Sequence, residues 1–221
     1  MYKNIMIEIA NGGKIQDFKK FLFKTYCLDL RWHDPVKFPK GIFTDEYDPA
    51  SVFLVVYLGQ QLISGVRLVA DSKKGFPHEL ICGISLPNIF NVAVEERIRD
   101  AVKNAGRKRI MEVTRFIGTP AIRRPQTIDL MKAMYWFGIY NNKEVYFMAV
   151  DMNAFLLCRK LKFPIVPVGV PIFCEGSWTI PAVMLVSEMI SSLENDKREY
   201  ILDTANLAGK WQLSKKYTSS P

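Results

Sequence analysis

The longest uncharged run of the chain, Pro49 to Val66, covers 18 residues and is broken in its middle by Gly59-Gln60-Gln61. That interruption excludes a membrane span. It leaves two apolar, β-branched segments, Val52–Leu58 and Leu62–Ala70, which predict an antiparallel hairpin with both strands well buried. Before it, Ile15, Phe18, Phe21, Leu22 and Tyr26 recur at helical spacing, with Lys14, Lys19, Lys20 and Lys24 on other faces. Between helix and hairpin, Pro35, Pro39, Gly41 and Pro49 exclude regular structure. An irregular loop of about twenty residues inside a compact domain is usually functional.

After the hairpin the pattern alternates. A helix is expected near Ala93–Asn104, a strand at Arg109–Phe116, a helix at Thr127–Tyr140 and a strand at Val145–Val150. A helix at Asn153–Leu161, a core strand at Ala182–Ser187 and a helix at Glu188–Leu202 follow. Alternation of this kind implies right-handed crossovers and parallel neighbours. The reading is a mixed α/β sheet, an antiparallel hairpin followed by a β-α-β-α-β half with helices on both faces. Residues 1–202 form one domain and 203–221 a tail, whose end, SKKYTSSP, is expected to fray.

At 49% apolar and 24% charged, the 221 residues suit a globular core and exclude a disordered or collagen-like chain. The formal charge of +8 points to an acidic partner. Nucleic acid ranks low among such partners, because there is no zinc-finger, RNP or helix-turn-helix pattern. Cys27, Cys82, Cys158 and Cys174 are scattered, and His33 and His78 are the only histidines, so no metal-ligand spacing exists. The first residues lack the apolar run of a signal peptide, which suggests a cytoplasmic chain with reduced thiols.

Charge interrupts the apolar pattern at Asp45-Glu46-Tyr47-Asp48, at Arg67, at Glu112 with Arg115, and at Arg123-Arg124. In a regular strand Glu112 and Thr114 share one face while Arg115 takes the other. A bulge would bring Glu112 and Arg115 to one cleft, together with Arg67, Asp45 and Asp48. The alternative is an ion-pair network that pins the loop to the sheet.

Trp32, then Asp45-x-x-Asp48, then Arg67-Leu68, then Glu112-x-x-Arg115-Phe116 resembles the acyl-homoserine-lactone synthases, the autoinducer synthases of the GNAT acyltransferase superfamily. The resemblance runs from about residue 14 to 187 and includes LMKAMYWFGI, YFMAVD and LLCRKLKFPIVPVGVP. It implies a GNAT-like fold and an acyltransferase that makes a quorum-sensing signal. The acyl group would pass from an acyl carrier protein or coenzyme A thioester to the amine of S-adenosylmethionine, a substrate rather than a cofactor. Neither cofactor nor metal is implied. Two departures stand out: Leu22 and Tyr26 occupy positions where the family carries Arg and Phe, and Asp151 lies where it often has Thr.

Under the resemblance Glu112 is the base for the acceptor ammonium, and a backbone N–H just after Arg115 stabilises the oxyanion. Trp32, Asp45, Asp48, Arg67 and Tyr26 bind the acceptor. Phe116, Met131, Met134, Phe137 and Asp151 line the acyl pocket. Arg123, Arg124, Arg159, Lys160 and Lys162 offer an acidic carrier protein a basic surface, with Lys103, Arg107, Lys108 and Arg109 nearby. An N-acyl amino acid synthase, with the same thioester donor and a free amino acid acceptor, is the alternative enzyme. A carrier-binding protein with a degenerate site is the non-enzymatic one.

Overall fold

The computed structural model describes residues 4–81, 93–119, 123–174, 176–209 and 211. One mixed sheet runs through them in the order β6-β8-β5-β4-β3-β2-β1-β9, with β7 attached to β8. The hairpin at its centre is β2 (Ser51–Leu58) and β3 (Gln61–Ala70), turning at Gly59 with φ +59°. β1 (Ile5–Ile9) extends it on one side and β4 (Ile110–Gly118) on the other, both antiparallel. Both faces are covered, which is why β2 alternates between two apolar sets rather than between apolar and polar residues. Val52, Leu54 and Val56 join the core under α4 (Arg123–Tyr140), whereas Phe53, Val55 and Tyr57 meet α1 (Gly12–Phe23). Gly65 admits the Phe18 ring, since a Cβ there would stand 2.4 Å from Phe18 Cε2.

α1 passes directly into a π-helical turn, Lys24–Asp29, which buries Tyr26. The following loop is irregular, as expected, with short 3₁₀ turns at Pro35–Lys37 and Asp48–Ala50. α2 (Pro77–Ile81) and α3 (Glu96–Ala105) cover the same face as α1, where Phe76, Ile98 and Val102 pack on Ile110, Phe147 and Val183.

The parallel pairing expected through the second half holds only between β4 and β5 (Val145–Asp151). The last core strand, β8 (Ser177–Leu185), starts earlier than expected and runs antiparallel to β5. After α5 (Met152–Lys160) the proline-rich segment makes only β6 (Val166–Pro167) and β7 (Ile172–Cys174). β7 then turns at Gly176, φ +86°, into β8, so a hairpin replaces the second crossover.

Glu188–Leu202 is not one helix. A 3₁₀ turn at Val186–Glu188 precedes α6 (Asn195–Leu202), because Ser191, Ser192 and Asn195 favour turns and helix starts over helix interiors. The expected tail is partly structural: β9 (Leu207–Ala208) pairs in parallel with β1, and Trp211 is buried in the core. SKKYTSSP lies outside the described residues.

Candidate active site

β4 and β5 pair over only four positions, Ile110–Val113 with Val145–Met148. Beyond them the strands part: β4 follows β3 while β5 follows β8 to Asp151. Thr114 pairs with Arg67 and Ile117 with Gly65, so Arg115 and Phe116 together oppose Val66. This is the anticipated bulge. Its first residue, Arg115, has φ +55°, a left-handed conformation that a side chain enters at a cost and that clusters at functional sites.

The bulge delivers the Arg115 guanidinium to an aromatic cluster under the loop, 4.7 Å from the Phe43 ring centre and 5.5 Å from that of Tyr26. Trp32 stacks on Tyr26 at 5.6 Å and 16°, and its Cδ1 edge packs against Gly176. Beside them Arg67, 2% exposed, donates from Nε to Thr114 Oγ1 at 2.8 Å. Its Nη1 donates to Asp45 Oδ1 at 2.6 Å and Asp48 Oδ1 at 3.0 Å. Lys19 Nζ lies 2.7 Å from Asp48 Oδ2, and Arg115 Nη2 lies 3.6 Å from Asp45 Oδ2. Burial alone would push the Asp45 carboxyl up. The hydrogen bond and charge of Arg67, with the charge of Arg115, hold it below the usual carboxylate range.

A cavity of about 640 Å³ opens between the split strands, the loop, α4 and α5. Arg67, Arg115, Tyr26 and Trp32 line it, whereas Asp45 and Asp48 do not. The two acidic residues assigned to the acceptor therefore hold the arginines from behind. Two other carboxylates border the cavity and both are engaged, Asp29 with Lys24 Nζ at 2.6 Å and Asp151 as the cap of α5. Asp151 Oδ1 accepts from Asn153 N at 2.9 Å and Ala154 N at 3.4 Å, which accounts for a carboxylate at that position.

Of the expected acyl-pocket residues, Phe116, Met131, Met134 and Asp151 line the cavity. Phe137 does not; it is fully buried in the core under α4. Leu130, Met148, Val150 and Leu157 complete an apolar arm that sequence spacing left unassigned. Cys158 also borders it, with burial pushing its thiol up to about 12, which removes it as a nucleophile.

Glu112 is 0% exposed and absent from the cavity wall. Its Oε1 is paired with Nδ1 of His78, and the His78 backbone N–H donates to its Oε2 at 3.3 Å. His78 does line the cavity. The sequence offered this residue only as one of two histidines in loops; its partner lies 34 positions away on another element.

On the basic side, Arg159, Lys160 and Lys162 are exposed at the end of α5, while the side chains of Arg123 and Arg124 lie outside the described residues. Arg107 instead grips Asp71 and Glu79, and Arg109 pairs with Glu144. Cys27 and Cys158 are free thiols, but Cys174 is disulfide-bonded, against the expectation that every thiol is reduced. Among the described residues no cluster of His, Cys, Asp and Glu forms a metal site, and no helix is long and apolar enough to cross a membrane.

A family model, described as N-acyl amino acid synthase FeeM, matches residues 29–188. No curated protein gives a significant match. Among solved structures, a CoA-dependent acyl-homoserine lactone synthase, BjaI, with SAM and isopentyl-CoA, is 15% identical, with TM-score 0.65 over 93% of this chain and 91% of that one. FeeM, an N-acyl amino acid synthase from uncultured soil microbes, is 13% identical, with TM-score 0.59 over 86% and 94%. A putative N-acetyltransferase from Lactobacillus plantarum, 12% identical, gives 0.52 over 83% and 99%. At these identities the structures establish the fold, the mixed α/β architecture expected of the acyltransferase superfamily.

Proposed function

The chain belongs to the family of the N-acyl amino acid synthase FeeM, and we propose that this acyltransferase moves a fatty acyl group from a thioester to the α-amine of a free amino acid. The observation that carries the choice of acceptor is the orientation of the buried charges. Asp45 and Asp48 are consumed by Arg67, Arg115 and Lys19, so three cations hold two anions and the excess positive charge borders the cavity. An amino acid that has given up its ammonium proton is a net anion, and its carboxylate complements that excess. S-adenosylmethionine adds a sulfonium, which the same field opposes. Trp32, with one face already on Tyr26 and an edge against Gly176, is part of the wall. A free amino acid therefore stands ahead of S-adenosylmethionine as acceptor, the reverse of the order expected from sequence.

The donor's pantetheine arm takes the place of a strand between the parted β4 and β5, where backbone groups are released from the ladder. Its acyl chain lies in the arm of Met131, Met134, Met148 and Leu157, whose thioethers adapt to a flexible chain. A backbone N–H beyond Arg115 faces the developing oxyanion. An acidic carrier protein would meet Arg159, Lys160 and Lys162.

The test is to incubate the purified protein with acyl carrier protein and coenzyme A thioesters, a mixture of amino acids and S-adenosylmethionine, and to identify products by mass spectrometry. N-acyl amino acids are expected. Acyl-homoserine lactone with released methylthioadenosine would instead establish the second acceptor, which the likeness to a solved synthase holding SAM favours.

A further inference from the structure

Amide formation from a thioester requires a base, because an ammonium has no lone pair until it loses a proton. Glu112 would be the obvious base by type and position. Yet it is fully buried, and the cavity wall at that level is His78. Nδ1 of His78 and Oε1 of Glu112 are both buried, and neither has a hydrogen-bond partner elsewhere among the described residues, so each is committed to the other.

Three further features hold the imidazole there. The backbone N–H of His78 reaches the second carboxylate oxygen of Glu112 at 3.3 Å. The ring meets the Phe147 edge at 5.9 Å and 77°. Arg107 clamps the segment bearing it, donating to both oxygens of Asp71 at 2.8 and 2.9 Å and to both oxygens of Glu79 at 2.8 and 3.0 Å. One bidentate pair to Asp71, ahead of the short helix, and another to Glu79, within it, fix its first turn more rigidly than the helix's own length can.

We infer that His78 is the catalytic base of the acyl transfer and that Glu112 is its positioning residue. The inference rests on the acyltransferase reading above and deepens it. A carboxylate against Nδ1 keeps the proton on that nitrogen and leaves the Nε2 lone pair for the cavity, the division of labour of a histidine held by a buried acid. His78 Nε2 takes a proton from the acceptor ammonium, and the freed amine attacks the thioester carbonyl carbon. The C–N bond forms, the tetrahedral intermediate collapses, the C–S bond breaks and the sulfur leaves as a thiolate. Nitrogen loses two protons in all: one ends on the thiol and the other in solvent. The Glu112 carboxylate stabilises the imidazolium in between.

The experiment compares wild type, His78→Gln and Glu112→Gln on two acceptors that share one carboxylate and side chain. One is the amino acid identified as substrate. The other is its α-aminooxy analogue, whose terminal nitrogen, bonded to oxygen and far less basic than an amine, is uncharged at neutral pH and needs no deprotonation before attack. With the amino acid, both variants should lose about 10²-fold or more in kcat, the usual range for a general base. With the aminooxy acid each deficit should shrink at least tenfold. Equal deficits with both acceptors, or wild-type rates in either variant with the amino acid, overturn the inference. If His78→Gln melts far below wild type, Glu112→Gln, which keeps the shape of the buried partner, decides alone. A wild-type protein that forms no N-acyl product with any amine overturns the acyltransferase reading, and this inference with it.

Discussion

Two clusters of buried charge lie on opposite faces of the sheet, and they are built on opposite terms. Under the loop, Asp45, Asp48, Arg67, Arg115 and Lys19 form a closed set in which each charge meets an opposite one. Between α4 and α6, Asp129 accepts from the Tyr200 hydroxyl, while Lys132, 0% exposed, has no hydrogen-bond partner for Nζ among the described residues and rests 4.2 Å from the Tyr200 ring centre. Titration follows the pairing. Asp45 is held below the carboxylate range against its burial, whereas burial pushes Asp129 up and Lys132 down. The first cluster preserves charge and the second erodes it. Only the first borders the cavity.

The largest expected effect comes from removing the centre of the closed set. Arg67→Ala leaves Asp48 to Lys19 alone and Asp45 to Arg115 at 3.6 Å, and breaking a buried pair in this way costs about 3–5 kcal/mol. In a chain of this length that lowers the melting temperature by roughly ten degrees. A variant melting within two degrees of wild type would show that water screens the cluster and that its resemblance to an interior network is superficial.

The next effect separates charge from backbone strain at Arg115. Arg115→Ala and Arg115→Gly both remove the guanidinium, and both should raise the KM for the amino acid by about 10- to 100-fold, the worth of one or two charge-assisted hydrogen bonds. They should differ in stability. Glycine enters the left-handed region freely while alanine does not, so the glycine variant should be the more stable by about 1–2 kcal/mol. A KM that differs between the two would assign the effect to the bulge rather than to the charge.

The clusters should also respond oppositely to acid. The folded-state pKa of Asp45 is depressed, so its contribution is complete above the ordinary carboxylate range and is lost as pH falls through the folded value. That of Asp129 is raised, so keeping it ionised costs stability at neutral pH, and the cost disappears on acidification. Asp45→Asn should therefore lose stability at pH 7 and converge with wild type in acid. Asp129→Asn should gain at pH 7 and also converge, each gap being of the order of 1 kcal/mol per pKa unit of difference. Denaturant midpoints across a pH series read both signs.

Much of this contrast is absent from the sequence for physical reasons. Strand and helix periods placed the hairpin, β4, α4 and β5, and the order of charged residues marked the loop, Arg67, Glu112 and Arg115 as belonging together. Which of them face the cavity depends on a one-residue bulge and on pairings between distant segments, and periodicity carries neither. The pairing of Asp45 and Asp48 with Arg67, Lys19 and Arg115 joins residues far apart in the chain and was not visible there. The pairing of Glu112 with His78, brought against it by α2 and the Arg107 clamp, has no local signal at all. The direction of β8 was lost in the same way: the proline-rich run reveals a break but not the hairpin that follows it.

The smallest expected change is the one that tests the second cluster most directly. Lys132 is long, charged and buried, so truncating it resembles the removal of an ion-pair partner, which usually destabilises. The geometry argues otherwise. Its Nζ makes no hydrogen bond among the described residues, and the hydroxyl of Tyr200 already satisfies Asp129, so Lys132→Met leaves no acceptor there stranded. Methionine keeps the length of the stem and its contact with the aromatic ring. What is lost is a cation–π attraction of about 0.5–2 kcal/mol and some field on Asp129 and Asp203; what is gained is the desolvation of an ammonium. The terms oppose each other at similar size, so Lys132→Met should unfold within about 1 kcal/mol of wild type, on either side, and with unchanged acyl transfer. A loss of 3 kcal/mol or more would mean that Lys132 supports Asp129 as Arg67 supports Asp45, and the two clusters would then be one design used twice.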